Sequence, residues 1–514
     1  MTHADLPQLP TAGGPAPAHP WIARSHSTAS GTLVAEAAAG LVPVEVFRQA
    51  ARLPQVLFLD SALPDATANS SLPRLGRWSF VAADPIHSVV VPAAAEAGTA
   101  VAAAFCELRS LLADLATPTI PGLPPFQGGL AGLISYDCGL ARLGLPSPPP
   151  ADPAVPLVSL HLYDLVFAYD HDRAQGWFIS QGVPARGPAA RRQRAGERLA
   201  SFLAAKGEPS TGSCPAEQLA PAELGGTPLP SRPAILTSHT HDRYLEMVCG
   251  GIESVLAGDI FQVNLAQRLA VGAVVDPVQL HLVARQLNPA PFSACFEVAD
   301  GGPHLISMSP ERFLQVRQGT VRMHPIKGTR RVIASPEADF YAGADLAASD
   351  KDRAENVMIV DLVRNDLARV CQTESVRVES LCRLERYRYV QHLVSVVTGR
   401  LRPGLRALDA VAAAIPGGSV TGAPKHRACE IISEFEGVAR GAYCGCLGYL
   451  GLDGSADFNL LIRTFVSGGG RIMFSAGGGI TAASNPSEEY AESLHKAEGM
   501  LRVLDALGIG GVSR

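Results

Sequence analysis

Apolar positions along this chain change period several times, and each change predicts an element. Unbroken apolar runs at Gln55-Val56-Leu57-Phe58-Leu59 and from Leu157 to Phe167, bounded by turn clusters such as Pro146-Ser147-Pro148-Pro149, read as short strands. The first half is therefore expected to be rich in β-structure. Past residue 233 the period lengthens: Tyr244, Met247, Val248, Ile252, Val255 and Leu256 recur at helical spacing, with Thr240 placed as cap and Gly258 as stop. Alternation follows, with Phe261, Val263 and Leu265 on one face and Gln262, Asn264 and Arg268 on the other, where solvent is expected. A short hairpin ends at Val321-Arg322-Met323-His324. From Asp352 to Leu367 the pattern is a helix that opens acidic and turns apolar nearly all round between Val357 and Val363, as a buried helix does. Tyr443 to Leu450, Asp457 to Val466 and Arg471 to Ser475, separated by Asp453-Gly454 and Gly468-Gly469-Gly470, read as an antiparallel meander. A closing helix begins after Asn485, with Pro486 at its first position, and carries Tyr490, Leu494, Ala497, Leu501 and Leu504 on one stripe.

Two stretches lack large apolar residues. Residues 1–40 are dominated by Ala, Pro, Gly, Ser and Thr and are expected to be a disordered extension. Residues 204–233 repeat Pro, Gly and Ser and are expected to link an amino-terminal region, 41–203, to a catalytic domain, 234–508. With 514 residues, 47% of them hydrophobic, the chain can fill a sizeable core. A formal net charge of -5 gives no bulk attraction for a phosphate backbone, so nucleic acid is not an expected partner. The ten cysteines show no C-x-x-C pairing and suit a reducing compartment. No signal-peptide pattern opens the chain and no run of about 20 apolar residues interrupts it, so a cytoplasmic protein away from the membrane is expected.

Candidate chemistry concentrates in the second half. Lys327, in Pro325-Ile326-Lys327-Gly328-Thr329, is either a solvated loop lysine or a nucleophile whose amine is kept neutral by desolvation. Glu488, Glu492 and Lys496 follow one another at single-turn spacing on the closing helix, which suits an ordinary salt-bridged face. If that helix meets the acidic helix, their carboxylates are the hard oxygen donors that Mg²⁺ takes. Pro416 to Lys425 and Ala476 to Gly479 offer backbone N–H groups suited to an anion, without a Walker or Rossmann fingerprint. Gly445-Cys446-Leu447-Gly448 faintly echoes an amidotransferase nucleophile turn, but it falls inside the expected meander and no His-x-Glu follows it. Any nitrogen drawn from glutamine must then be released by another subunit.

Several motifs occur in order over about 240 residues. They are Gly258 to Leu265, Ser309-Pro310-Glu311-Arg312-Phe313, Pro325 to Thr329, Asp361-Leu362-Val363-Arg364-Asn365-Asp366-Leu367, Gln391-His392-Leu393-Val394-Ser395, Ser419 to Lys425, Ala476 to Ile480 and the Glu492 helix. Together they resemble the chorismate-utilising enzymes, which include anthranilate synthase component I and aminodeoxychorismate synthase component I. The first half resembles that family more weakly, at Gly128 to Gly132. The resemblance implies an α+β fold, with large antiparallel β-sheets forming a sandwich and helices packed outside.

It also implies chemistry. A lysine in the Pro-Ile-Lys-Gly-Thr motif resembles the aminodeoxychorismate synthases, where anthranilate synthases place alanine, and makes Lys327 the expected nucleophile. Glu311 is the implied general acid. His392 matches a histidine important to pyruvate elimination in anthranilate synthases, with either an orienting or a proton-transfer role. Gln262 stands where the water-adding members carry a general-base lysine. Glu355 and Glu492 resemble Mg²⁺ ligands, with Asp352 and Glu489 acting through water. Tyr443, Arg463 and the backbone at Gly478 and Gly479 are expected to hold a substrate carboxylate, the guanidinium by a bidentate fork. Thr329, Ser419, Gly422, Ala423 and Lys496 are expected to line the same pocket. The implied partner is a glutamine amidotransferase subunit and the implied product 4-amino-4-deoxychorismate, on the route to p-aminobenzoate and folate. The alternatives are anthranilate synthase component I and a silent partner of an amidotransferase. No further catalytic segment is expected after Arg514, which leaves conversion to p-aminobenzoate to a separate enzyme. Asp60-Ser61-Ala62 is similar to the edge of the family's tryptophan pocket. After Thr329 the chain reads Arg330-Arg331-Val332 without the proline expected there, which bears on loop closure and not on chemistry.

Overall fold

Two antiparallel sheets face each other, and in each a block of strands from the first half of the chain joins edge to edge with a block from the second. The computed structural model describes residues 19–61, 75–94, 97–206, 224–332, 336–386 and 390–510. Among these residues one sheet has 14 strands and the other 10. Between them lies a layer built from Leu57, Phe80, Phe126, Leu133, Phe296, Tyr449 and Met473. Helices cover the outer faces: Pro277–Leu287 and Pro486–Ala506 pack on the larger sheet through Leu280 and Leu501, and Asp350–Ala368 packs on the smaller through Ile359 and Val363. The expected α+β sandwich with helices outside is what the chain forms.

Several expectations change. The two regions share both sheets: Leu57–Asp60 pairs with Phe292–Glu297, and Gly129–Ile134 pairs with Cys446–Gly451, one seam in each sheet. Joining edge to edge satisfies strand edges that two separate sheets would leave open. Nor does the weak-core extension reach residue 40. Ile22–Ser27 and Leu33–Ala37 form a hairpin on the edge of the larger sheet, and Leu33, Val34 and Ala35 are buried; small apolar residues on a pleated strand fill a core that bulk composition does not reveal. Residues 1–18 lie outside the described residues. Of the expected linker, 207–223 also lie outside them, while Thr227–Leu229 and Arg232–Thr237 are strands at the opposite edge.

The expected meander is divided between the sheets. Cys446–Gly451 and Ala456–Leu460 pair in the smaller sheet, and Thr464–Gly468 and Arg471–Ile480 in the larger. The chain crosses at Leu461-Ile462-Arg463, where Arg463 takes φ +51. The alternating strand, Gln262–Gly272, has Gln262 and Asn264 buried instead of solvated, while Phe261 just before it is 70% exposed. That polar face looks into the molecule: Arg268 donates to the Ala439 carbonyl at 2.6 Å, and the Gln262 amide lies against Gly479.

Helix boundaries follow the caps. Thr240 accepts from the Arg243 N–H for helix His241–Leu256, and Asn485 from Ser487 and Glu488 for the closing helix. Ser349 accepts from Asp352 for the acidic helix.

One buried ion pair braces this framework. Arg440 donates to both Glu436 oxygens, at 2.9 and 2.6 Å, and to the carbonyls of Val420 and Asn264, while Glu436 also accepts from the Ala266 N–H. Removing one partner of such a pair leaves an uncompensated buried charge. Glu436→Gln is expected to lower unfolding free energy in urea by about 3 kcal/mol; a loss under about 1 kcal/mol would contradict the brace.

Candidate active site

The lysine strand, Ile326–Arg331, pairs with the strand Val390–Arg400, placing Lys327 opposite Leu393 and Thr329 opposite His392. The register slips between those pairs at Gly328, whose φ of +73 is a left-handed conformation that glycine adopts without strain. A Cβ on Gly328 would stand 3.0 Å from the Asp352 carboxylate and 2.7 Å from Leu346. The lysine strand and the acidic helix thus approach as closely as a missing side chain allows. The Thr329 side chain lies outside the described residues.

Lys327 Nζ sits 3.9 Å from Glu355 Oε2, with 14% of the side chain exposed. Burial lowers its pKa from the usual lysine value against the pull of Glu355, and the Lys496 charge adds to the lowering. Glu311, 8% exposed, stands directly before strand Arg312–Arg317 and accepts a hydrogen bond from Ser419 Oγ at 3.1 Å. Desolvation raises its carboxyl to about 7, with Ser419, the Lys327 charge and the Ile326 N–H acting in the opposite sense. The loop lysine and the upstream glutamate are therefore neighbours whose ordinary charges are both disfavoured.

Around them the motifs converge. His392, 4% exposed, is lowered to about 4 by burial and by the Arg463 charge, against a hydrogen bond with the Gly328 backbone, so its imidazole is neutral near pH 7. Arg463 is surrounded by protein yet keeps an exposed surface, as a cleft-lining group does; burial lowers its pKa, and among the described residues no carboxylate pairs with it. Tyr443 is half-buried beneath the Arg440 guanidinium, 5.5 Å from its ring centre. Gly422 and Ala423 pair with Gln262 and Val263 and back the site instead of lining it through side chains. Gly479 has no room for a Cβ, which would overlap the Gln262 amide nitrogen and lie 3.5 Å from Lys327 Nζ. At Gly478 a Cβ would meet Glu489 Oε2 at 2.9 Å, Glu492 Oε1 at 3.5 Å and Lys496 Nζ at 3.7 Å. The two glycines are therefore floor tiles beneath charged side chains.

Carboxylates come from the amino-terminal parts of two helices: Asp352 and Glu489 in the first turns, where the helix dipole favours negative charge, and Glu355 and Glu492 about one turn further on. Burial raises Glu355, opposed by Lys327 and Lys351. Burial also raises Glu489, whose Oε1 accepts from Ser484 at 2.7 Å. Glu492 is desolvated too, but Lys496, bonded to it at 2.7 Å, brings it below the ordinary value. These are hard oxygen donors, and Glu355, Glu489 and Glu492 each lie in another's field, so their chemistry fits Mg²⁺. Among the described residues, however, no three acidic, histidine or cysteine side chains converge on one point.

One contributor escaped the sequence reading: Lys351, whose charge reaches Glu355, Glu489 and Glu492. Gln262, expected on a solvated face, enters the site because its strand turns the polar face inward. Cys446 is fully buried with its thiol pKa pushed well up, an inert core sulfur. A cavity of about 530 Å³ lies elsewhere, lined by Asp60, Ser61, Trp78, Phe292 and Arg312 among others. The Asp60 carboxylate at its edge accepts from Ser79 and Arg285, and Ala62 lies outside the described residues. No helix among the described residues is long and apolar enough to cross a membrane.

This geometry sits within a recognisable lineage. The family described as chorismate binding enzyme matches residues 71–502, and the chain belongs to it. Among curated relatives, anthranilate synthase component 1 of Streptomyces coelicolor is 36% identical over 466 residues, covering 89% of this chain and 86% of the relative. Aminodeoxychorismate synthase component 1 of Klebsiella aerogenes is 39% identical over 382 residues, covering 74% and 78%. The crystal structure of anthranilate synthase component I from Streptococcus pneumoniae superposes with a TM-score of 0.67 at 28% identity, covering 85% of this chain and 95% of that one. MenF, the menaquinone-specific isochorismate synthase of Escherichia coli, shares the fold at TM-score 0.66 and 18% identity, covering 92% and 94%.

The Gly328 bulge predicts a measurable coupling. Amine-directed labelling of Lys327 against pH should give a midpoint below the usual value of about 10.4. Gly328→Ala, which must push Asp352 away and open the bulge, should move that midpoint upward. An unchanged midpoint would contradict the coupling.

Proposed function

We propose that the protein is the chorismate-aminating component of an aminodeoxychorismate synthase, forming 4-amino-4-deoxychorismate from chorismate and ammonia. The observation that carries the reading is the amine of Lys327, desolvated and held beside a carboxyl whose proton is retained to about pH 7. Relatives of both names share similar identity with the chain, so overall likeness does not choose between amination at C4 and anthranilate formation. A lysine at this motif position favours the first.

Chorismate is a dianion whose C4 hydroxyl leaves poorly unless protonated. Glu311 donates its proton to that hydroxyl while neutral Lys327 Nζ forms a bond to C2; both ring double bonds shift, the C4–O bond breaks and water departs. The new ammonium returns one proton to the Glu311 carboxylate. Ammonia then bonds to C4, the double bonds shift back and the C2–N bond breaks as Glu311 protonates the departing nitrogen, restoring the lysine amine. The new C4 ammonium passes its extra proton back to Glu311. Arg463 and Tyr443 hold the enolpyruvyl carboxylate, with the backbone of Gly478 and Gly479 beneath. Neutral His392 orients the lysine strand through Gly328 and is not a proton donor at pH 7. Glu355 and Glu492, with Asp352 and Glu489 through water, would hold Mg²⁺, which supplies a positive anchor for the ring carboxylate. A glutamine amidotransferase subunit supplies ammonia, consistent with relatives named as component 1 of a synthase.

The purified chain, given chorismate, Mg²⁺ and ammonium salt, should yield aminodeoxychorismate by mass analysis. Anthranilate with released pyruvate would instead establish the rival activity, and no turnover would leave only a partner role. In Lys327→Ala the aminated product should vanish while calorimetry still detects Mg²⁺ binding; undiminished product would contradict the nucleophile. Because Glu311 must be protonated and Lys327 neutral, kcat/KM for chorismate should fall as pH rises through about 7 and fall again as pH drops through the lysine midpoint. Glu311→Gln should cut the rate by roughly a hundredfold or more and abolish the alkaline limb; persistence of that limb would contradict the assignment.

A further inference from the structure

Ser419 lies in a three-residue 3₁₀ turn, Gly418–Val420, that is pinned from both ends. Arg440 donates to the Val420 carbonyl at 2.9 Å, Thr421 Oγ1 donates to the Gly417 carbonyl at 2.9 Å, and the Thr421 carbonyl accepts from the Asn264 N–H at 2.7 Å. The hydroxyl of Ser419 is thereby presented to one place, Glu311 Oε1, at 3.1 Å. The backbone of Glu311 is fixed as firmly. Its N–H donates to Ser309 Oγ at 3.2 Å, its carbonyl accepts from the Leu460 N–H at 3.0 Å, and Ser309 in turn donates to the Leu460 carbonyl at 2.6 Å. The backbone N–H of Ile326, the residue directly before Lys327, also favours the charged form of the carboxyl.

We propose that Ser419 is a positioning residue for the Glu311 carboxyl, not a ligand of the substrate. With Oε1 accepting from Ser419, the other oxygen is the one left to carry the transferable proton, and the carboxyl plane cannot swing away from the reacting hydroxyl. The charged and titratable groups facing Glu311 are Lys327 from the lysine strand and the thiol of Cys444 from the segment after Tyr443. Ser419 is the neutral donor among them, so its removal changes the acid without changing the net charge of the pocket.

This inference rests on the reading of Glu311 as the acid of chorismate amination, but its first test needs no turnover. A hydrogen bond donated to a carboxyl favours the charged form. In Ser419→Ala, infrared titration of the Glu311 carboxyl, identified by subtracting the Glu311→Gln spectrum, should therefore rise above about 7, by about half to one pH unit. In turnover the alkaline limb should move up by the same amount, kcat should fall by about tenfold or more, and KM for chorismate should change less than about twofold. Ser419→Thr, which keeps the hydroxyl, should restore both midpoint and kcat. An unmoved carboxyl midpoint, or a KM raised tenfold, overturns the proposal. If the native chain fails to aminate chorismate, the functional reading falls while the titration still decides the role of Ser419.

Discussion

An ammonium in this pocket must give up either its water or its proton, and the rest of the site is arranged around that choice. Lys425 shows the first solution: its Nζ donates to both oxygens of Asp366, at 2.8 and 2.7 Å, and to the Ala414 carbonyl, so a full set of acceptors replaces the lost water. Among the described residues Lys327 has no such set: its nearest carboxylate oxygen in an ion pair stands 3.9 Å away, beyond hydrogen-bond length, and the Lys496 charge acts on it as well. The contrast separates a lysine held as an ion pair from one whose charge is disfavoured. Burial and like charge together favour the neutral amine.

The fold supplies this environment by bringing remote elements together. The smaller sheet holds Lys327 and His392 on paired strands, while the larger contributes the floor at Gly478 and Gly479 from a strand paired to Gln262. Two helix amino termini direct carboxylates toward the cleft, and their dipoles make it less unfavourable to crowd those charges. Arg463 stands where the chain crosses from one sheet to the other, so its side chain is placed by a backbone change of direction that its positive φ provides.

How legible this was in the sequence depends on whether a feature is local. Caps and periodicity located the helices at Thr240 and Asn485 because those signals act within a turn. The motif at Lys327 was readable by resemblance, since its chemistry is carried by residue type. Long-range facts were not readable. The alternating strand at Gln262 carries the same pattern whether its polar side meets water or a buried site, and only the remote segments packed against that side, such as the Ala439 carbonyl that accepts from Arg268, decide. Composition marked the first 40 residues as unstructured, yet Leu33–Ala37 is a buried strand because Ala and Val need little volume once a neighbour strand is present. The resemblance places Ser419 in the pocket, but that its hydroxyl donates to Glu311 is a long-range fact that only the fold reveals.

A carboxyl that keeps its proton beside an amine that gives one up is the arrangement needed for exchanging a hydroxyl for nitrogen through a covalent relay. The most direct measurement is intact-protein mass analysis of the chain mixed with chorismate and Mg²⁺ in the absence of ammonia. A species heavier by chorismate less water, mapped to Lys327 by peptide sequencing and discharged to aminodeoxychorismate when ammonia is added, is the predicted result. Amination that proceeds at the native rate while no such species forms, or an adduct on another residue, would contradict the account.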